Sequence, residues 1–365
     1  MKIARVRSHA LNLKADEPLA DAKPMQGYRE MVLCKIATAD GIEGIGVSFF
    51  GAALTNALAQ AVRDLGEVIV GEDPRNVEHC VEKMRNAAGM HCGPGGIYNL
   101  ALSAIDTALW DIRGKICNQP LARLLGGHRD KVPAYASGAL HRFLSLKEVE
   151  AAAVKLVERG WTSMKTQMAL PNPTSPDIEV ERMRVVRKAV GPDIQLMCDI
   201  NQRWNVHQAI AIGERVEDVN LHWLEDVTTA DDYAGLARVT HSLKTPIAGG
   251  EYVWGIAPFR QMLEARSVDI PMIDLVRVGG ITQWMKVAGM AEAFNLPVVS
   301  HLIPEVHVHL IAAVPNGEIV EYMPWTRTLF ADPPVPEKGV MAVPTKPGLG
   351  FTFTRELDAA LDAGK

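Results

Sequence analysis

Three carboxylates follow short apolar segments at equal intervals along the chain. These residues are Asp199, Glu225 and Glu251, and both spacings are 26 residues, as expected for successive units of one strand and one helix. Parallel strands of a closed barrel carry functional groups at their carboxyl ends, on one face. Three carboxylates held close together need a cation between them, and oxygen ligands suit a hard divalent ion. The pattern therefore predicts a Mg²⁺ site, although each acid alone could instead cap a helix or pair with a lysine.

The ends of other apolar segments also carry polar side chains. Lys165 and Gln167 stand two residues apart, so both side chains point to the same face of a strand. Asp274 and His301 end two consecutive strand-like segments, and Glu321 lies in the next one. An aspartate that accepts the imidazole Nδ1–H fixes the tautomer and raises the basicity of the ring. We therefore interpret His301 as a proton-transfer group rather than as a metal ligand.

Three polar residues that follow His301 are interpreted as structural. Glu305 opens the next helical segment, and His307 and His309 lie within that segment. An acid in a first helical turn and histidines among apolar neighbours are typical of capping and packing. We assign no chemistry to these three residues.

The apolar pattern changes character near residue 130. Before it, the sequence predicts three strands, at 1–13, at 30–38 and after a turn at Asp40–Gly41, and then helices at 53–70, 74–88 and 97–114. After it, short strands are predicted at 133–137, 163–167, 195–200, 222–226, 246–250, 272–276, 297–301 and 318–322. Helices are predicted between them at 146–159, 177–190, 206–217, 231–241, 257–266, 281–294 and 305–313.

This alternation of short apolar strands with helices is typical of parallel β/α units. Eight strands within about 190 residues favour a closed barrel over an open doubly wound sheet, and no G-x-G-x-x-G opens a helix. We predict an α/β fold, a modified TIM barrel (β/α)7β with an N-terminal α+β capping domain. The predicted boundaries are 1–130 for the cap, 131–325 for the barrel with the active site, and 326–365 for a C-terminal segment that packs back on the cap.

The composition excludes several classes of protein. The chain has 365 residues, of which 48% are apolar and 22% charged, so it is neither disordered nor too short for a large core. A net charge of −5 without a basic block predicts no nucleic-acid partner and no membrane partner. Five cysteines without a C-x-x-C motif indicate a reducing compartment, and we expect a cytoplasmic protein.

Four segments of the sequence resemble one known family. They are residues 104–115 (AIDTALWDIRGK), 124–127 (LLGG), 274–282 (DLVRVGGIT) and 300–302 (SHL). Together with the spacing of the acids, they are similar to the mandelate racemase subgroup of the enolase superfamily, whose members include many acid-sugar dehydratases. The resemblance covers nearly the whole chain. It implies a barrel with a capping domain whose two loops, about 14–29 and 47–54 here, close the barrel mouth.

The resemblance also implies roles for individual residues. It assigns Mg²⁺ binding to Asp199, Glu225 and Glu251, and a proton-transferring dyad to Asp274 and His301. It matches Lys165 to the first lysine of the family's K-x-K motif and Glu321 to the acid that hydrogen-bonds the substrate carboxylate. The chain departs from the family at Gln167, which stands where the second lysine of that motif would supply a base, and an amide has no useful basicity.

These residues predict proton abstraction next to a carboxylate. Mg²⁺, Lys165 and a protonated Glu321 would stabilise the developing enolate while His301 takes the α-proton. With one base, loss of a β-hydroxyl from a 2,3-dihydroxy carboxylate, giving a 2-keto-3-deoxy acid, is favoured over racemisation. We therefore predict a carbon–oxygen lyase that acts on a sugar acid. A racemase or epimerase, a dehydratase of a hydroxy amino acid, and a non-catalytic barrel are the alternatives.

Substrate contacts are predicted at the strand ends and in the cap loops. At the strand ends the candidates are Gln167, Asn201, Arg203 and Trp325, together with His141 and Gln202, and in the loops they are Lys23, Met25, Phe49 and Phe50. Arg203 could bind a second carboxylate or pair with a surface acid. We expect a small-molecule carboxylate as the substrate and a homo-oligomer as the assembly.

Overall fold

The N-terminal region begins with an antiparallel sheet. The computed structural model describes residues 1–15, 19, 27–170 and 175–363. The three strands pair in chain order, β1 (Ile3–Lys14), β2 (Tyr28–Thr38) and β3 (Glu43–Phe49). They are followed by five helices: α1 (Thr55–Ile69), α2 (Val77–Met84), α3 (Met90–Cys92), α4 (Gly96–Ile116) and α5 (Leu121–Leu124). The prediction of a strand meander followed by helices is confirmed.

Helix α4 lies against β3 at close range, and small residues make this possible. A Cβ atom at Gly44 would lie 2.1 Å from the carbonyl oxygen of Ala108, and one at Gly46 would lie 2.0 Å from that of Ala104. Any larger side chain at either glycine would force strand and helix apart. The same helix also meets the barrel, because the carboxylate of Asp106 accepts hydrogen bonds from the backbone N–H and hydroxyl of Thr282.

Eight parallel strands form a nearly closed barrel. They are β4 (Lys131–Leu140), β5 (Ser163–Gln167), β6 (Gln195–Asp199), β7 (Trp223–Glu225), β8 (Ile247–Gly249), β9 (Ile270–Asp274), β10 (Val299–His301) and β11 (Val320–Tyr322). The order is β10-β9-β8-β7-β6-β5-β4-β11, and a bridge between Val298 and Gly317 joins the two end strands. This confirms the predicted fold class.

Helices connect these strands and cover the outside of the barrel. They are α6 (Leu146–Glu158), α7 (Pro176–Val190), α8 (Val206–Arg215), α9 (Tyr233–Ser242), α10 (Ile256–Glu264), α11 (Leu275–Val278), α12 (Ile281–Ala293) and α13 (Pro304–Ala313). The barrel interior is a separate apolar cluster of Tyr135, Met197, Trp223, Ala248, Ile270, Met272, Val299 and Ile319. Within the described residues, no helix combines the length and the hydropathy that a bilayer-spanning segment needs.

The structure corrects one predicted element and adds others near the C-terminus. The strand predicted at 272–276 is Ile270–Asp274, because residues 275–278 form helix α11 immediately after it. No helix or strand is predicted after residue 322, and the structure adds β12 (Phe330–Ala331), β13 (Val340–Ala342), β14 (Thr352–Phe353) and α14 (Arg355–Asp362). Proline and glycine between these short elements mask their periodicity in the sequence.

The C-terminal segment touches both parts of the molecule. Strand β13 pairs antiparallel with β4 of the barrel. At the other end of the segment, Asp358 and Asp362 form ion pairs with Lys35 of β2, at 2.8 and 3.1 Å. The three-part division at residues 130 and 325 stays a prediction.

His309 on α13 is buried, and both of its ring nitrogens form hydrogen bonds. Its Nδ1 accepts from the N–H of Ala122 at 3.2 Å, and its Nε2 lies 2.9 Å from the carbonyl oxygen of Leu349. Burial lowers the pKa of His309 from 6.5 to about 4. Between these two pH values the unfolded chain binds more protons than the folded one, so stability falls as the pH falls through this window.

Acidification from pH 6.5 to 4 should therefore remove on the order of 3 kcal/mol of stability through His309. The variant His309→Gln can form both hydrogen bonds without titrating. Its melting temperature should fall less than that of the wild type between pH 7 and pH 5, as measured by circular dichroism. Equal losses in the two proteins would contradict this explanation.

Candidate active site

The acids predicted to bind a metal meet at one end of the barrel. Asp199 ends β6, Glu225 ends β7 and Glu251 lies just beyond β8, and all three are buried. Glu225 and Glu251, together with Asp226, each offer an oxygen atom within 4.8 Å of the others. The structure thus brings the two glutamates together with Asp226 as the third member of the tightest group, where the sequence suggested Asp199.

Asp226 is a residue that sequence reasoning did not select. It is 3% exposed, its Oδ2 has no hydrogen-bond partner in the described part of the chain, and its Oδ1 accepts only a long bond of 3.5 Å from the N–H of Gly250. A buried carboxylate oxygen without a donor is costly unless a cation is present. The signal in the sequence was the acid pair Glu225–Asp226 at a strand end.

The electrostatics of this cluster favour a bound cation. Burial, followed by the charge of Glu251, raises the pKa of Asp199 to about 6 in spite of the nearby Lys165. Burial and the neighbouring acids raise the pKa values of Glu225 and Asp226 well above their ordinary values. A divalent cation would relieve this repulsion, and an all-carboxylate donor set fits Mg²⁺. The residues present therefore fit the predicted metal.

Lys165 lies between two of the acids. Its Nζ pairs with Glu225 and lies 2.9 Å from Oε1 of Glu321. Although burial lowers its pKa, the charges of Glu225 and Glu321 raise it well above the ordinary value, so the side chain is a cation. The second oxygen of Glu225 accepts from the indole N–H of Trp223 at 2.8 Å.

The surroundings of Glu321 favour its ionised form, and the protonated form expected during the reaction stays a prediction. Oε1 accepts from the hydroxyl of Ser137 at 2.7 Å and Oε2 from the N–H of Leu302 at 2.7 Å. Burial alone would raise the pKa of Glu321, but the cation of Lys165 lowers it to about 2. All its partners are donors, so neither oxygen needs a proton.

Asp274 and His301 form the contact expected from neighbouring strands. The imidazole Nδ1 lies 2.5 Å from Oδ2 of Asp274, and Nε2 lies 3.1 Å from Oε2 of Glu251. The other oxygen of Asp274 accepts the backbone N–H groups of Val276 and Arg277 and caps α11. Burial lowers the pKa of His301, but Glu251 and the hydrogen bond to Asp274 outweigh this and raise it to about 9.

A cap residue covers this dyad. The ring of Phe50 lies nearly parallel to that of His301, with 6.4 Å between the centroids. The guanidinium of Arg277 lies over the ring of Phe50, 3.8 Å from the ring centre. It also donates a hydrogen bond of 2.7 Å to the backbone carbonyl oxygen of Glu251. This places the loop predicted at 47–54 over the barrel mouth. Lys23 and Met25, predicted for the other loop, lie outside the described residues.

Across the barrel, Gln167 is held by Arg142, a second residue that the sequence did not reveal. Oε1 of Gln167 accepts from the backbone N–H and the Nε of Arg142, both at 3.3 Å. Asn201 accepts from Arg142 and from Nε2 of Gln167, and its N–H donates to Asp199 at 2.7 Å. Arg203 is exposed and has no ion-pair partner in the described residues.

Sequence comparison places this arrangement in a family. Residues 5–126 match the family described as mandelate racemase / muconate lactonizing enzyme, N-terminal domain, and residues 148–357 match the enolase C-terminal domain-like family. The chain belongs to the mandelate racemase subgroup of the enolase superfamily. The resemblance found in the sequence is thereby confirmed.

Three relatives are similar to this enolase-superfamily member in sequence or in structure. An L-talarate/galactarate dehydratase of Salmonella typhimurium is 33% identical, over 93% of this chain and 86% of its own. A 3,6-anhydro-alpha-L-galactonate cycloisomerase of Streptomyces coelicolor is 30% identical, over 99% of this chain and 100% of its own. The structure of an L-talarate dehydratase from Polaromonas sp. JS666 with Mg and L-glucarate has a TM-score of 0.89 and 32% identity, covering 98% of this chain and 96% of that one. Mg²⁺, the metal predicted here, is the metal in that structure.

Proposed function

We propose that this protein is a Mg²⁺-dependent dehydratase of a sugar acid. The observation that carries the proposal is an acid–base dyad on one side of the barrel, for which the described residues of the opposite strand offer no counterpart. The dyad of Asp274 and His301 stands on β9 and β10, whereas β5, half-way round the barrel, presents the amide of Gln167. The names of relatives such as the talarate/galactarate dehydratase support this reaction class.

The acids and Lys165 form the binding end of the proposed site. Asp199, Glu225 and Glu251 would hold Mg²⁺, with Asp226 as a fourth acid of the same cluster. Bound there, Mg²⁺ supplies positive charge that favours the enolate form of a carboxylate. Lys165 supplies a further positive charge beside Glu225 and Glu321, and the buried, water-poor surroundings strengthen its effect on a developing anion.

His301 would carry out both proton transfers of the reaction. Glu251 is the largest of the charges that raise the pKa of His301, and it belongs to the proposed ligand set. With Glu251 bound to the metal, its charge would no longer favour the imidazolium, and Asp274 would remain as the carboxylate that orients a neutral imidazole. Neutral His301 takes the proton from C2 at Nε2, and the electron pair left on C2 enters the enolate. The imidazolium then gives that proton to the hydroxyl on C3, which departs as water. The resulting enol tautomerises to a 2-keto-3-deoxy acid.

The proposal is tested by ¹H NMR in D₂O with Mg²⁺ and a panel of aldonic, aldaric and hydroxy-amino acids. A 2-keto product that has lost one water supports dehydration and identifies the substrate. Loss of only the C2–H signal would mean a racemase, and an isomer with no water lost would mean a cycloisomerase. Turnover of a hydroxy-amino acid alone would replace the sugar-acid assignment.

Gln167 should contribute to binding rather than to proton transfer. The variant Gln167→Ala removes the acceptor of two bonds from Arg142 and leaves His301 intact. We expect KM to rise about three- to tenfold with little change in kcat, as is usual for the loss of neutral hydrogen bonds. Steady-state kinetics measure this. A hundredfold fall in kcat would give Gln167 a part in the chemistry.

A further inference from the structure

Buried polar groups without partners lie at the ends of two neighbouring strands. His141 follows β4 and is 4% exposed, and neither of its ring nitrogens has a hydrogen-bond partner in the part of the chain that the structure describes. Trp325 follows β11. Its indole N–H is buried and also has no hydrogen-bond partner among the described residues. Because β4 and β11 pair in parallel, both groups lie at the end of the barrel that carries the proposed active site. Native structures rarely leave such groups unpaired without a reason, and a ligand is one.

Positive charge surrounds these groups. The guanidinium of Arg29, from the cap, lies 4.8 Å from the centre of the Trp325 ring. Burial and then the charges of Arg142 and Arg29 lower the pKa of His141 to about 4, so the ring is neutral at pH 7. A neutral imidazole offers one donor and one acceptor.

Arg142 is a buried cation with neutral partners. Besides Gln167, its guanidinium donates to the carbonyl oxygen of Ile200 at 3.3 Å and to the side chain of Asn201. Within the described residues it forms no ion pair, although it is 3% exposed. Asp199 and Glu179 partly balance its charge.

At His141, however, the charges that act on the ring are those of cations, Arg142, Arg29 and Arg182. Negative charge on a ligand beside His141 would therefore be stabilised.

We propose that these residues form the subsite for the far carboxylate of a sugar diacid, so that the substrate is an aldaric acid. This inference rests on the proposed function, which places the reacting carboxylate at Lys165 and the metal. The indole and guanidinium groups only donate, so the far end of the substrate must accept hydrogen bonds. The cations that act on His141 favour a negative charge at the same place. The terminal hydroxymethyl group of an aldonic acid can accept hydrogen bonds but carries no negative charge. His141 can bind a hydroxyl next to that carboxylate.

The first test compares aldaric acids with the aldonic acids of the same configuration, using the full chain with Mg²⁺. We expect kcat/KM for the best diacid to exceed that of its monoacid by about a hundredfold, since a site built for a charged group rejects the analogue that lacks it. An aldonic acid turned over as well as its diacid would overturn the inference and leave the dehydratase assignment standing.

The second test removes one N–H group. Trp325→Phe keeps an aromatic ring beneath Arg29, and we expect KM for the diacid to rise about tenfold, with kcat little changed and KM for the monoacid unaffected. Trp284→Phe is the matched control, because the indole N–H of Trp284 is also buried and unpartnered but lies on α12. Its KM should equal that of the wild type. Unchanged KM for the diacid in both Trp325→Phe and His141→Asn would overturn the subsite.

The outcomes separate this inference from the proposed function. If a diacid loses only its C2 proton or isomerises, the dehydratase assignment fails, and the KM pattern of the variants still decides the subsite. If no acid reacts, the subsite is tested by how much each acid raises the melting temperature of the protein in the presence of Mg²⁺. A diacid should then raise the melting temperature more than its monoacid at the same concentration, and equal or absent stabilisation would overturn the inference.

Discussion

Replacing His301 with asparagine should lower kcat by about a thousandfold, within the range by which positioned acid–base groups accelerate reactions. His301 is the only titratable group that we assign to proton transfer, and in this proposal it serves both the C2 proton and the departing hydroxyl. Asparagine can still donate to Asp274 but cannot accept a proton at neutral pH. Single-turnover and steady-state kinetics on the substrate found by NMR would measure the loss.

The same variant should keep its fold and its affinity for Mg²⁺. His309→Gln serves as the control, because His309 bonds to Ala122 and Leu349 away from the proposed chemistry, and its kcat should match the wild type. Near-normal turnover by His301→Asn would remove His301 from the mechanism. Exchange of the C2 proton with D₂O should stop together with turnover, since both need the same base.

Replacing Asp199 with asparagine should lower kcat by about a thousandfold and abolish the thermal stabilisation by Mg²⁺. The amide keeps an oxygen that accepts the N–H of Asn201, so the local hydrogen bond survives. In the metal-free protein, burial and the charge of Glu251 together disfavour this ionised carboxylate by more than Lys165 favours it, because the pKa of Asp199 is raised to about 6. The variant should therefore melt no lower than the wild type in EDTA, and the two proteins should diverge only when Mg²⁺ is added.

Asp226→Asn, measured in parallel, distinguishes two sets of metal ligands. The sequence favours Asp199, Glu225 and Glu251, whereas the tightest carboxylate group in the structure contains Asp226 in place of Asp199. Calorimetric titration with Mg²⁺ would give each affinity. Lost binding in Asp226→Asn with retained binding in Asp199→Asn would replace Asp199 by Asp226 in the ligand set.

The pattern of residues along the chain is enough to predict the kind of fold and the strands that bear the proposed chemistry. Short apolar strands that alternate with amphipathic helices are expected to form a parallel sheet, because the helices then cover the apolar faces of the sheet. Strand ends then share one face, which is why the side chains of Asp274 and His301 could be expected to meet although 27 positions separate them. The ends of the strands are harder to predict from the sequence than their existence, because one residue such as Asp274 can both end β9 and cap α11.

Which polar atoms face one another could not be predicted from the sequence and follows from the packing of distant segments. Three such features arise where loops from different strands converge. They are the buried acid of Asp226, the guanidinium of Arg142 among neutral oxygens, and the nitrogens of His141, which have no partner in the described ranges of the chain. The ionised state of Glu321 likewise follows from donors on three separate elements, Ser137, Lys165 and Leu302. Periodicity reports which face a residue occupies, whereas charge and hydrogen bonding depend on distances between side chains that are far apart in the chain.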